Sequence, residues 1–162
     1  MTESHEEHPL ALGKIVGNLQ SLEMMLRLIL AQKPGLDSRD KYIDDFAQAP
    51  VGTAVAVTDM TNYAQLRELV KAFNAEFATS GRAALDNGLV SLRDALAHGR
   101  VFKGPSDEHF RIVKFSPVRD GKTTVVYNEV MSPEWFAINN KRVRDAIEIV
   151  AAAYNQQEAA AS

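Results

Sequence analysis

The chain contains no cysteine. A disulfide framework, a thiol nucleophile and a cysteine-ligated zinc or iron–sulfur site are therefore excluded. No apolar run approaches the roughly 20 residues that cross a bilayer as a helix. The stretch Met1–Pro9 is acidic and polar, where a signal peptide would be basic and then apolar. A soluble cytoplasmic protein with no membrane partner is the expectation. Several chemical signatures are missing too. There is no glycine-rich loop before Lys-Ser/Thr, no dinucleotide fingerprint and no nucleophile elbow. The acid pairs Asp44-Asp45 and Asp107-Glu108 have no histidine at metal-ligand spacing, and His109 has no evident partner. His5 and His8 are three residues apart, whereas a zinc-protease helix needs four. Neither a metal nor a cofactor is expected.

What is present is an ordinary globular composition. Of 162 residues, 46 % are apolar and 24 % charged, enough for one domain with its own core. The net charge of −3 hides an asymmetry, because residues 93–144 carry ten Lys/Arg against six Asp/Glu. This basic middle can attract phosphate locally, although a variable solvated surface accounts for it as well.

Apolar residues at three- and four-residue steps predict a first helix over residues 9–32, through Leu12, Ile15, Val16, Leu19, Leu22, Leu26, Ile29 and Leu30. Glu23 and Arg27 form an i, i+4 pair on it. Residues 37–47 suggest a short helix and residues 53–57 an extended run. A second helix is predicted over 61–78, with Leu66, Leu69, Val70, Phe73 and Phe77 inward, and a third over 82–98, with Leu85, Leu89, Leu92 and Leu96 inward. Gly99 is the expected left-handed residue after the third helix. Gly88 falls inside that helix, where a close approach of another backbone would explain it.

The period then changes. Residues 110–118 and 123–130 are rich in β-branched and aromatic residues around Asp120-Gly121, a hairpin signal. Pro117 is expected to end the pairing of the first strand or to confine it to an edge. Ser132-Pro133-Glu134 is a helix start, and the fourth helix should run to about Tyr154 with Trp135, Ile138, Val143, Ile147 and Val150 inward. The expected fold is mainly all-α: a four-helix up-down bundle with a β-hairpin, at about 109–130, between helices three and four. Residues 1–8 and 156–162 are expected as disordered tails around a single domain, 9–155.

The chemistry concentrates in Leu92-Arg93-Asp94-Ala95-Leu96-Ala97-His98-Gly99-Arg100-Val101. Asp94 and His98 are four apart and share a helix face, so the carboxylate can orient the imidazole. A histidine near neutrality can move protons at physiological pH. Arg93 and His98 are five apart, about 140° around the axis and roughly 7.5 Å along it. One chain does not aim both at one spot unless His98 turns away at the helix end, or two copies of the segment meet across a symmetric dimer. A plainer alternative makes His98 a dipole-favoured C-terminal residue paired with Asp94, and Arg93 a surface cation.

The string Arg-Asp-Ala-Leu-Ala-His-Gly-Arg, closing a helix in a small helical protein, resembles the HEPN superfamily (higher eukaryotes and prokaryotes nucleotide-binding domains). The signature of that family is Arg, four to six residues, then His, with a polar residue after the Arg. Arg93, Asp94 and His98 match it. The resemblance extends over most of residues 10–155, but residues 92–101 are its specific part. It implies an all-α homodimer that meets through helix three and its motif. It also implies, for active members, a metal-independent endoribonuclease with a composite site at the dimer interface. His98 would then assist attack of a ribose 2′-OH on the adjacent phosphate or protonate the leaving oxygen. Arg93 would hold the phosphate through its planar fork, and Asp94 would position Arg93 or His98. The products would be a 2′,3′-cyclic phosphate and a 5′-hydroxyl. Arg100, Lys103, Lys141, Arg142 and Arg144 are the candidate additional cations for RNA. The resemblance also allows a non-catalytic dimeric module that binds a nucleotide, an antitoxin or another protein partner, or a motif used only for dimer packing.

Overall fold

The computed structural model describes residues 7–31, 48–78 and 83–161. Among these, four helices and three strands follow in the order α1 (Glu7–Ala31), α2 (Leu66–Phe77), α3 (Gly88–His98), β1 (Arg100–Phe102), β2 (Arg111–Phe115), β3 (Val125–Val130) and α4 (Pro133–Ala161). The fold is mainly helical with one small antiparallel sheet of order β1-β2-β3. It is not a strict four-helix bundle carrying a hairpin. The expected hairpin is present, but Arg100-Val101-Phe102 adds a third strand to it, with Val101 opposite Ile112. The short helix expected over residues 37–47 and the tail up to Glu6 lie outside the described residues. His8, expected in that tail, is helical. Residues 53–57 are exposed and join no strand.

The described residues divide into two compact units. One takes the chain up to Gln20 together with Asp86–Ala146, and the other Ser21–Leu85 with the chain from Ile147. In the second unit the predicted stripe of α2 is buried in full: Leu66, Leu69, Val70, Phe73 and Phe77, with Leu22, Leu26 and Ile29 of α1 also buried. The helix itself starts five residues later than the apolar pattern suggests. Residues 58–65 form a turn structure of their own. Arg27 reaches this segment with hydrogen bonds to Asp59 O (3.0 Å), Asn62 Oδ1 (2.8 Å) and Ala64 O (2.6 Å). Glu68 then accepts the Gln65 N–H at 2.7 Å, half of a capping box.

The third helix also starts late, at Gly88. Two side chains hold its approach in non-helical geometry. Asn74 brackets Leu85, donating to its carbonyl (3.0 Å) and accepting from its amide (2.8 Å). Asp86 Oδ1 accepts the Gly88 N–H at 2.8 Å. Gly88 is therefore a first-turn residue, and what crowds it is a side chain, since a Cβ there would meet the Arg142 guanidinium.

In the first unit α3 buries Leu89, Val90, Leu92 and Ala95, while Leu96 is half-buried. Gly99 is extended (φ −72°, ψ 164°) and not left-handed. A Cβ there would press on Ala95 O and Ile112, so close packing accounts for the glycine. The extended backbone leads directly into β1. Asp120 (φ 51°) and Gly121 (φ 69°) supply the two positive φ values of a type I′ turn, and β2 ends at Phe115, two residues before Pro117. Ser132 Oγ caps α4 by accepting the Trp135 N–H at 3.1 Å. Along α4, Ile138 is exposed, and Phe136 and Asn139 are buried instead. The Asn139 amide is satisfied by donating to Trp135 O at 2.8 Å. The helix continues past Tyr154 to Ala161.

Candidate functional site

The motif occupies the last two turns of α3. Because Leu92 and Ala95 anchor that helix, Arg93 and Asp94 fall at the boundary of the core, and Ala97 and His98 fall in solvent. Asp94 lies 3.3 Å from Lys114 Nζ and 3.9 Å from Arg93 Nη1. Lys114 sits in the middle strand, on the sheet face turned to α3. The carboxylate that helical spacing offers to His98 is thus engaged by two full cations. Among the described residues the His98 side chain has neither a hydrogen bond nor an ion pair. It stands at the helix end, open to an incoming group. The structure therefore joins Arg93 to Asp94 and leaves His98 apart from both.

The additional cations separate. Arg100 begins β1, immediately after the motif, with its guanidinium 5.1 Å from the centre of the Phe115 ring. Lys103 lies 5.8 Å from the centre of Phe110. Lys141 is exposed and pairs with Asp145 at 2.7 Å. Arg142 is committed to the opposite end of α3, where its Nε donates to Asp86 Oδ2 at 2.6 Å and its Nη2 donates to the same oxygen. Ten residues of helix, roughly 15 Å, separate that end from His98. Arg142 does not belong to the motif site. Arg144 lines a separate open cleft of about 510 Å³ with Lys14, Asn18, Ala137 and Asn140.

Two titrations are shifted near these elements. The Gly88 amide N–H and, after it, the Arg142 guanidinium hold the Asp86 carboxyl below its usual value, against a partial opposition from burial. Burial pushes the Tyr127 phenol up. Among the described residues no group of three or more His, Asp or Glu is placed to hold a metal ion, and no helix is long and apolar enough to cross a membrane.

Sequence reasoning missed Lys114 and Asp86. Period-2 alternation in β2 puts Lys114 on the same face as Ile112, a usable signal for the first. Asp86 stands two residues before the first helical amide, the place of an Asx turn. No protein-family model matches the chain, and neither a curated protein nor a solved structure matches it.

Proposed function

We propose that the chain is a HEPN-like homodimer whose α3 motif cleaves RNA without a metal, in the cytoplasm and in a toxin–antitoxin or phage-defence setting. The observation that carries this reading is the disposition of Arg93, Asp94 and His98 at one helix end. An exposed imidazole follows an arginine–carboxylate pair at the spacing the resemblance requires. In this reading His98 moves the proton at the 2′-OH or at the leaving 5′-oxygen. The Arg93 fork binds the phosphate and stabilises its growing charge. Asp94 restrains Arg93, and Lys114 restrains Asp94.

A second reading is a non-catalytic module that binds a nucleotide or a protein partner. It is favoured by the absence, among the described residues of one chain, of an orienting carboxylate on His98. Cleavage of a labelled single-stranded RNA in EDTA separates the two. The nuclease reading expects 2′,3′-cyclic phosphate ends from the wild type and none from His98→Ala or Arg93→Ala. Intact RNA with a folded dimer would transfer the site to the binding module.

A further inference from the structure

We infer that the solvent face of the three-stranded sheet binds single-stranded RNA; the identity of the ligand rests on the ribonuclease reading of the α3 motif. The register defines the face. Arg100 is opposite Val113, and Phe102 is opposite Arg111. In the next ladder Arg111 is opposite Val130, Val113 opposite Asn128, and Phe115 opposite Val125. Cross-strand partners share a face and neighbours alternate. One face therefore carries Arg100, Phe102, Arg111, Phe115 and Asn128 around a buried Val113, with Val125 and Val130 exposed on the third strand and Arg111 and Phe115 half-buried. The other carries Ile112 and Lys114, and Lys114 meets Asp94 of α3. Contacts within the outer face agree with the register. The Arg100 guanidinium lies over the Phe115 ring, and Arg111 Nη1 donates to Asn128 Oδ1 at 2.7 Å.

Charge and shape select the occupant. Glu129 is the sheet's one carboxylate, and it is opposite Ile112 on the α3 side. The outer face thus presents two arginines and no acid. Phe102 is 49 % exposed, and Val125 beside Phe115 is 50 % exposed. Large apolar groups left in water next to unopposed cations suit a ligand that is both flat and anionic. Bases stack on aromatic rings and on guanidinium planes, phosphates pair with arginine, and an Asn amide can reach a base edge. Duplex RNA does not fit the same surface, because its base faces are covered. Position supports the assignment as well. Phe102 is four residues after His98, at most about 14 Å of chain. A strand lying on this face passes close to the motif.

The test is fluorescence anisotropy with a short labelled 2′-O-methyl RNA, which has no 2′-OH to attack and so stays intact. The wild type should bind the single strand, and bind the same sequence as a duplex more weakly. Phe102→Ala should weaken single-strand binding roughly tenfold or more, and Phe102→Trp should restore it. Arg111→Gln should reduce the salt dependence by about one phosphate contact. Cleavage of unmodified RNA is followed in parallel. Phe102-dependent binding by a protein that never cleaves would keep this surface and remove the ribonuclease reading. Cleavage by a wild type whose affinity and KM are untouched by Phe102→Ala would remove the surface and keep the ribonuclease. No RNA binding, together with loss of self-association in Phe102→Ala, would give the face to a second copy and overturn the inference.

Discussion

Asp86 shows how a single carboxylate organises its surroundings. It accepts the first amide of α3 and the Arg142 guanidinium together, and Gly88 leaves the space in which that guanidinium lies. Its depressed titration fixes a sign. The stabilisation is complete above the ordinary carboxylate range and is lost as pH falls through the lowered value, below about pH 4. Thermal unfolding of wild type and Asp86→Asn should therefore differ at neutral pH and converge in acid. A gap that persists at low pH would mean that the charge is not what matters. Gly88→Ala supplies the steric counterpart. The added methyl must displace Arg142, so the coupling between Asp86 and Arg142 in a double-mutant cycle should fall towards zero in the Gly88→Ala background. An unchanged coupling would show that the guanidinium does not need that space.

At the scale of elements, helix interiors were legible and helix starts were not. The α2 stripe from Leu66 to Phe77 is read directly from three- and four-residue spacing, because burial of one face is a local pattern. The starts at Leu66 and Gly88 are set by the local turns of Asn62 and Asp86 together with Arg27 and Asn74, and the backbone groups these last two hold lie 11 to 37 residues away in sequence. β1 was missed for a related reason. Three residues directly after a helix have no alternation to detect, and only pairing with β2 makes them a strand. The turn, by contrast, is encoded in Asp120-Gly121. Gly121→Val should cost about 1–2 kcal/mol in chemical denaturation, since a β-branched residue resists the positive φ, while Asp120→Asn should be nearly neutral. Truncating Phe73, 1 % exposed and stacked on Phe77 at 5.0 Å, should cost about 3–5 kcal/mol.

For the whole molecule, the α3 motif was legible as a string and only partly as a site. Residues 92–101 name Arg93, Asp94 and His98. That Asp94 turns to Lys114 depends on the sheet packing against α3 and is not written in local spacing. The consequence, among the described residues of one chain, is an arginine restrained by its neighbour and an imidazole at the helix end with no orienting group. A two-fold dimer would bring a second motif against the first and supply what one copy lacks. The composite-site account then makes a demand that no single-chain site can meet. Arg93→Ala and His98→Ala proteins, each inactive alone, are mixed, allowed to exchange subunits and assayed on single-stranded RNA in EDTA. If Arg93 of one copy works with His98 of the other, each heterodimer keeps one intact site. The mixture should then recover roughly a quarter of wild-type cleavage, because about half the dimers are mixed. A mixture as silent as its components, beside a wild type that cleaves, would contradict the composite site.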